Sequence, residues 1–358
     1  MQVETRSLKD ELQWVSRAVE KRNTIPILSN VLFEAERHTL RLTATDLELS
    51  LITELPADEP KPWKITAPAR RLLDYLRKVV EPEVNLVPVE DSLWLGVSHG
   101  PSASARIAGM SPEAFPEFPK IETVGQLGGI SIAVPRVMTT ISTEENRFTL
   151  SGALLEGGST TTARMVSTDG HRMGIFPVAY KGPEMRVLVR MSGLNELAHF
   201  GTDMVGIGWD DNHLLFTHGH RQILSRELTG NFPDWERCVP KDFPRAVLVE
   251  ADALRELIDR VSVFADERSH AVRVVVGAGK VAVHSSLSET GEASGSVAIA
   301  GGEPGQGEVE IGLNANYLLE FLTLAKGETV AFCYRAPAET TEFMTTDGWQ
   351  YVVMPMRI

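Results

Sequence analysis

A self-similar pattern at a spacing of 122 residues constrains this chain of 358 residues more than any other feature. The segments IPILSNVLFE from Ile25, RFTLSGALLE from Arg147 and SHAVRVVVGA from Ser269 begin at that spacing and read as strands. Leu28-Ser29-Asn30 lines up with Leu150-Ser151-Gly152, Glu34 with Glu156, and Thr45-Asp46 with Thr168-Asp169. A period of this length means one structural unit used three times, and it fixes the architecture before any single motif is weighed.

Two helical patterns recur with the strands. One precedes each aligned strand, at 7–21, 133–143 and 250–266; the other follows a strand, at 65–78, 187–200 and 311–326, with Pro68, Ser192 and Asn314 near the helix starts. Period-2 and β-branched runs fill the intervals, including 39–55, 204–219 with Asp211-Asn212 at a turn, and 271–286 with Gly277 and Gly279 at a turn. Two helices cannot cover both faces of so many strands, so each repeat is α+β with helices on one sheet face. The repeats divide the chain into domains at 1–122, 123–244 and 245–358, with 125–129 and the region of Pro244 as junctions.

Composition limits what such a chain does. The net charge of −13 is wrong for a protein that coats nucleic acid, whose affinity comes from neutralising phosphates with Lys and Arg. Any DNA contact must therefore come from a local asymmetry that the total hides; the six helical segments with their flanks carry about +3. No apolar run approaches the ~20 residues of a membrane-spanning helix, and MQVETRSLKDE is too charged for a signal peptide, so a cytoplasmic protein is expected. Cys238 and Cys333, without metal-ligand spacing, read as reduced thiols.

Three motifs lie in order on the repeat: Thr168-Asp169-Gly170-His171-Arg172, Asn231-Phe232-Pro233-Asp234-Trp235, and the terminus Tyr351-Val352-Val353-Met354-Pro355-Met356-Arg357-Ile358. With them the whole chain resembles the bacterial DNA polymerase III β subunits, the sliding clamps. The resemblance implies three clamp domains with helices lining a pore and sheets outside, two chains closing head to tail into a ring homodimer. It implies sequence-independent encirclement of duplex DNA and tethering of the DNA polymerase III α subunit. A clamp loader complex and other polymerases and repair proteins, bound through short Gln-Leu-x-Leu-Phe motifs, are further implied partners, with no cofactor, metal or membrane.

Residue by residue, the resemblance places Arg22, Phe148 and Thr149 at DNA; charge clustering adds Arg70, Arg71, Arg77 and Lys78. Without a DNA role, a strand-flanking Phe148 would be core. The implied partner-peptide cleft comprises Leu150, Thr168, Gly170, His171, Arg172, Met173, Pro233, Arg237, Cys238, Val352, Met354, Pro355, Met356, Arg357 and Ile358. Family members more often have Leu and Val where this chain has Met173 and Cys238. Val263 and Phe264, beyond the apolar stripe Leu254, Leu257, Ile258 and Val261, match the family's interface pair and would face the edge near Arg106 and Met110. Pro355 should end the last ladder, and an apolar terminus should pack against something.

Catalytic readings find little support. Ser167, Asp169 and His171 are triad residue types in one short run, whereas triads converge from separate elements. His213, His218 and His220 lack a second ligand pair. No phosphate-binding glycine loop occurs, so a partner must power ring opening. The competing function is a repeat-built peptide-binding scaffold that does not bind DNA.

Overall fold

In a computed structural model of the chain, the described residues are 1–19, 25–58, 61–90, 92–144, 146–158, 161–200, 204–287 and 291–357. Each third runs strand, helix, four strands, helix, three strands. The first contains β1 (Gln2–Glu4), α1 (Thr5–Val15), β2 (Asn30–Glu36), β3 (Thr39–Thr45), β4 (Leu49–Pro56), β5 (Trp63–Pro68), α2 (Ala69–Leu76), β6 (Glu83–Pro88), β7 (Trp94–His99) and β8 (Ala103–Ala108). The second contains β9 (Gly125–Gly128), α3 (Ile130–Met138), β10 (Gly152–Gly157), β11 (Thr162–Thr168), β12 (Arg172–Lys181), β13 (Met185–Arg190), α4 (Met191–Leu197), β14 (Val205–Trp209), β15 (His213–His218) and β16 (Arg221–Arg226). The third adds one short strand: β17 (Arg245–Glu250), α5 (Ala251–Ser262), β18 (Ala271–Gly277), β19 (Lys280–Leu287), β20 (Gly291–Ala298), β21 (Gly301–Glu303), β22 (Val309–Asn314), α6 (Ala315–Leu324), β23 (Thr329–Tyr334), β24 (Thr341–Met344) and β25 (Gln350–Val353).

By compactness the chain forms two units, Met1–Leu127 with Met204–Glu227, and Gly128–Asp203 with Leu228–Ile358. In the first, β1, β6, β7 and β8 form one antiparallel sheet, and another runs β5, β2, β3, β4, β16, β15, β14, β9. The second unit contains β13, β10, β11, β12, β25, β24, β23, β17, and separately β20, β19, β18, β22. The last strand of one repeat thus adds to the fourth strand of its predecessor twice: β16 on β4, with Ser225 opposite Leu49, and β25 on β12, with Val353 opposite Arg172. No helix among the described residues is long and apolar enough to cross a membrane.

Helices pack in pairs, α1 with α2, α3 with α4 and α5 with α6. Helix α1 buries Leu8, Leu12 and Val15, one face at helical spacing, each side chain contributing roughly 1.5–3 kcal/mol. Asn314 caps α6 as its sequence position predicts, its side chain accepting from the N–H groups of Asn316 and Tyr317 at 2.9 and 3.3 Å.

Several expectations needed correction. The helix read at 133–143 begins at Ile130 and ends at Met138, with Pro135 inside it, because Gly129 in the left-handed region (φ 77°) starts the helix earlier. Helix α4 does start beside Ser192, at Met191, but Arg190 is its N-cap residue and makes no side-chain capping bond among the described residues. The first residues of two aligned segments, Pro26–Ser29 and Phe148–Leu150, are 3-10 turns, and pairing starts at Asn30 and Gly152. The expected junction at 125–129 is mostly strand, β9 pairing with β14 as β1 pairs with β6.

Candidate functional site

The turn 168–172 is built by its own side chains. Asp169 accepts from the N–H groups of His171 and Arg172 at 2.8 and 3.0 Å, Thr168 receives the N–H of Gly170 at 3.1 Å, and Gly170 takes φ 89°. The turn leaves His171 exposed and directs Arg172 inward. The Arg172 guanidinium donates to Asp169 (3.0 Å), Glu320 (2.8 Å) and the Tyr351 hydroxyl (2.9 Å) and lies over the Tyr317 ring. Burial disfavours its charge, but Tyr351 and Glu320 outweigh that and keep it firmly protonated. Arg172 therefore ties β12 to α6 and β25 rather than presenting a free charge.

Beside this clamp lies an apolar floor of Leu154, Val166, Met173, Ile175, Leu188 and Val352, closed by Leu228, Phe232 and Trp235, with Leu150 and Val239 partly buried against it. Trp235 is held by its indole N–H donating to Glu156 at 2.8 Å. Pairing of β25 ends at Val353, as Pro355 requires, yet the tail stays attached: Met354 N–H donates to His171 O at 2.9 Å and Met356 N–H to Gly312 O at 2.8 Å. Met354 is exposed, and Pro355 and Met356 are partly so. Two thioethers thus follow directly on the strand that supplies Val352 to the floor, and flexible side chains of this kind can adapt to several others. Gly170, Pro233, Arg237 and Cys238 are exposed and Thr168 is buried, whereas Arg357, also exposed, lines a hollow of the third repeat with Asp266, Ser269 and Arg273. Ile358 lies outside the described residues.

Arg70, Arg71, Arg77 and Lys78 are exposed on or just beyond α2, with Arg77 also paired to Asp74 at 3.2 Å. Arg22 lies outside the described residues. Phe148 overturns the core expectation: it is exposed on its 3-10 turn, with the Arg190 guanidinium 5.6 Å from its ring centre and Thr149 half-buried beside it. Val263 is 75% exposed just past α5, Phe264 packs at Gly291, and Arg106 is exposed on β8. Met110 packs on Ile27, Leu28, Leu32 and Phe115, in its own repeat.

Ser167 bonds to Thr140 and Val137 O, Asp169 serves its turn and His171 points to solvent, so these three do not converge. His213 pairs with Asp210 and His220 with Glu11, and no group of three or more metal-ligating side chains occurs among the described residues.

Sequence reasoning missed one repeat signal. Phe115-Pro116-Glu117-Phe118 corresponds to Phe232-Pro233-Asp234-Trp235, and each closes a groove over the fourth strand of a repeat and the last strand of the next.

Family models for the N-terminal, central and C-terminal domains of the DNA polymerase III beta subunit match residues 1–119, 130–234 and 236–357. The beta sliding clamp of Pseudomonas putida is 31% identical over 372 residues, covering 99% of both chains. That of Caulobacter vibrioides is 30% identical over 381 residues, again with 99% of both. The crystal structure of the DNA polymerase III subunit beta from Pseudomonas aeruginosa superposes with a TM-score of 0.91 at 29% identity over 100% of both chains. A Caulobacter crescentus beta sliding clamp, described with polyethylene glycol at a putative beta-motif tethering region, gives 0.89 at 29% identity, covering 100% of this chain and 98% of the other.

Proposed function

The chain belongs to the DNA polymerase III beta subunit family, and on that premise we propose that it is a sliding clamp, a ring homodimer that encircles duplex DNA and tethers the replicative polymerase. One observation carries the ring: the same strand addition joins consecutive repeats twice, leaving β8 and β20, among the described residues, as the two strands that lack the corresponding neighbour. A second copy supplies β8 to β20, and the reverse contact closes the ring; both bare edges are then paired.

The ladders also give the register. Through equivalent pairings Ile107 takes the place of Ser225 and Val353, and Gly291 that of Leu49 and Arg172. Arg106 then stands opposite Glu292, opposite charges at one rung, while Val263 and Phe264 close the contact beside Gly291. Met110 supports the base of β8.

Non-specific DNA affinity, roughly 10⁻⁴–10⁻⁶ M, cannot hold a polymerase for long, and tightening it would stop sliding. A closed ring separates retention from affinity. Arg22, Arg70, Arg71, Arg77 and Lys78 then need only weak phosphate contacts, with Phe148 and Thr149 beside the duplex. The cleft from Leu150 and Met173 to Val352 and Met356 takes short apolar motifs of the polymerase, the clamp loader and repair proteins. Catalysis is left to these partners, and work on replicating DNA places the protein in the cytoplasm. Arg106→Glu should convert the dimer to monomer in sedimentation, and Arg106→Glu with Glu292→Arg should restore it. A fully dimeric single variant would refute this register.

A further inference from the structure

The groove closed by Phe115 and Phe118 is lined by Leu32, Thr43, Ile52, Leu215, Gln222 and Leu224. Ladder by ladder, their equivalents between the second and third repeats are Leu154, Val166, Ile175, Glu342, Gln350 and Val352. Five of the six keep an apolar or uncharged side chain. At the sixth, Leu215 becomes Glu342. Glu342 is directly opposite Val352, which is opposite Met173, so the carboxyl shares a sheet face with the cleft floor. It is only 3% exposed, and its Oε1 has no hydrogen-bond partner among the described residues. Such a group should be costly, and an apolar residue demonstrably fits the equivalent position.

We propose that Glu342 determines the specificity of the partner-peptide cleft by accepting a hydrogen bond from an incoming peptide that carries a side-chain amide or ammonium where an all-apolar motif would seat a hydrocarbon. This rests on the cleft reading above. The neighbouring strands offer Glu342 little else: Gln350 bonds to it from β25, and the Cys333 thiol lies opposite on β23. Burial pushes the carboxyl up to about 7, despite Gln350, so it is anionic only above neutrality. An apolar occupant should therefore bind more weakly as pH rises through 7.

The test is fluorescence anisotropy with the peptide Gln-Leu-Ser-Leu-Phe and a set in which each apolar residue is replaced in turn by Gln or Lys. Wild type, Glu342→Leu and Glu342→Gln are titrated at pH 6 and pH 8. At pH 8 one donor-bearing peptide should lose roughly tenfold in affinity on Glu342→Leu, while the parent peptide gains and loses its pH dependence. Glu342→Gln should abolish the pH dependence without a change of shape. Relative affinities and pH dependence identical in all three proteins would overturn the proposal. A protein lacking 354–358 separates the two readings: if it binds the parent peptide as wild type does, the cleft assignment itself fails.

Discussion

Glu11 and Arg136 are both the seventh residue of the first helix of their repeat, both buried, and opposite in charge. Each pins the last hairpin of the following repeat. The Arg221 guanidinium donates to Glu11 at 2.7 and 3.0 Å, while Arg136 donates to Asp347 and, at 3.2 Å, to Glu328. The corresponding residue of α5 is Leu257, which packs at Gly295 on the strand proposed to meet a second copy. Opposite charges at the two internal junctions disfavour exchange of hairpins between them, since either wrong pairing buries like charges.

Removing either helix charge should therefore cost more than a surface ion pair does. Glu11→Ala or Arg136→Ala should destabilise by about 2–4 kcal/mol, moderated because Arg221 and Asp347 can partly rehydrate. Arg136 also loses its stacking on Phe176 and Trp349. The exchange Glu11→Arg with Arg221→Glu should recover part of the loss in denaturant unfolding. Equal unfolding midpoints for wild type and both alanine variants would show the charges to be incidental.

Buried carboxyls give the stability profile two opposite slopes. Burial opposes ionisation of Glu11, but hydrogen bonds from Arg221, Thr53 and His220 outweigh it and hold the carboxyl low; Thr345 and Arg136 do the same for Asp347. Their stabilisation is present above the ordinary carboxylate pKa and is lost as pH falls through the depressed folded values. Glu342 behaves oppositely: between its ordinary 4.5 and about 7 the unfolded chain ionises while the folded one keeps its proton. Stability should fall over that window by roughly 3 kcal/mol, at ~1.4 kcal/mol per unit. Glu342→Gln should remove this decline in thermal melts between pH 4.5 and 8; an unchanged decline would assign it to other groups.

The turn at 45–49 repeats the bonds of Thr and Asp to the backbone made in that at 168–172. Asp46 accepts from Glu48 and Leu49 N–H at 2.9 and 2.6 Å, and Leu47, at φ 78°, occupies the position of Gly170. Left-handed backbone costs a non-glycine residue roughly 1–2 kcal/mol, more than the ~0.5–1 kcal/mol by which glycine loosens the unfolded chain. Leu47→Gly should therefore stabilise slightly, by up to about 1 kcal/mol. Gly170→Ala should destabilise by about 1–2 kcal/mol and crowd the Arg147 guanidinium that bonds Asp169 O. Urea titrations giving the same sign for both would contradict the strain argument.

Features local to a short segment were legible in the sequence. Asn314 announced a cap because its side chain bonds its own backbone, whereas the turn at Thr45-Asp46 lay hidden in the run 39–55 that reads as strand and shows only in the structure. Helix α3 was misplaced because a left-handed glycine at 129 and a proline tolerated inside a helix both run against propensity. The Arg136 to Asp347 pair and the Met173 to Val352 pair join positions far apart in the chain, and only the addition of β25 to β12, beneath α3, brings them together. Periodicity shows which residues face a core, but not which strand will lie beside them.

Replacing Arg22, Arg70, Arg71, Arg77 and Lys78 by Gln should weaken DNA association for all sequences alike. Each lost phosphate contact should reduce the log–log salt slope by roughly 0.9. The dimer and its peptide binding should be unaffected. An unchanged slope would place these side chains away from DNA.

The central claim, retention by topology, is tested most directly by comparing lifetimes of the loaded protein on a nicked circular duplex and on the same duplex cut once. After loading by the clamp loader and a shift to salt high enough to abolish phosphate contacts, the protein should stay on the circle and leave the linear form within the time needed to slide off its ends. Equal lifetimes on the two, or immediate release from the circle, would mean that no ring closes around DNA, leaving a peptide-binding scaffold.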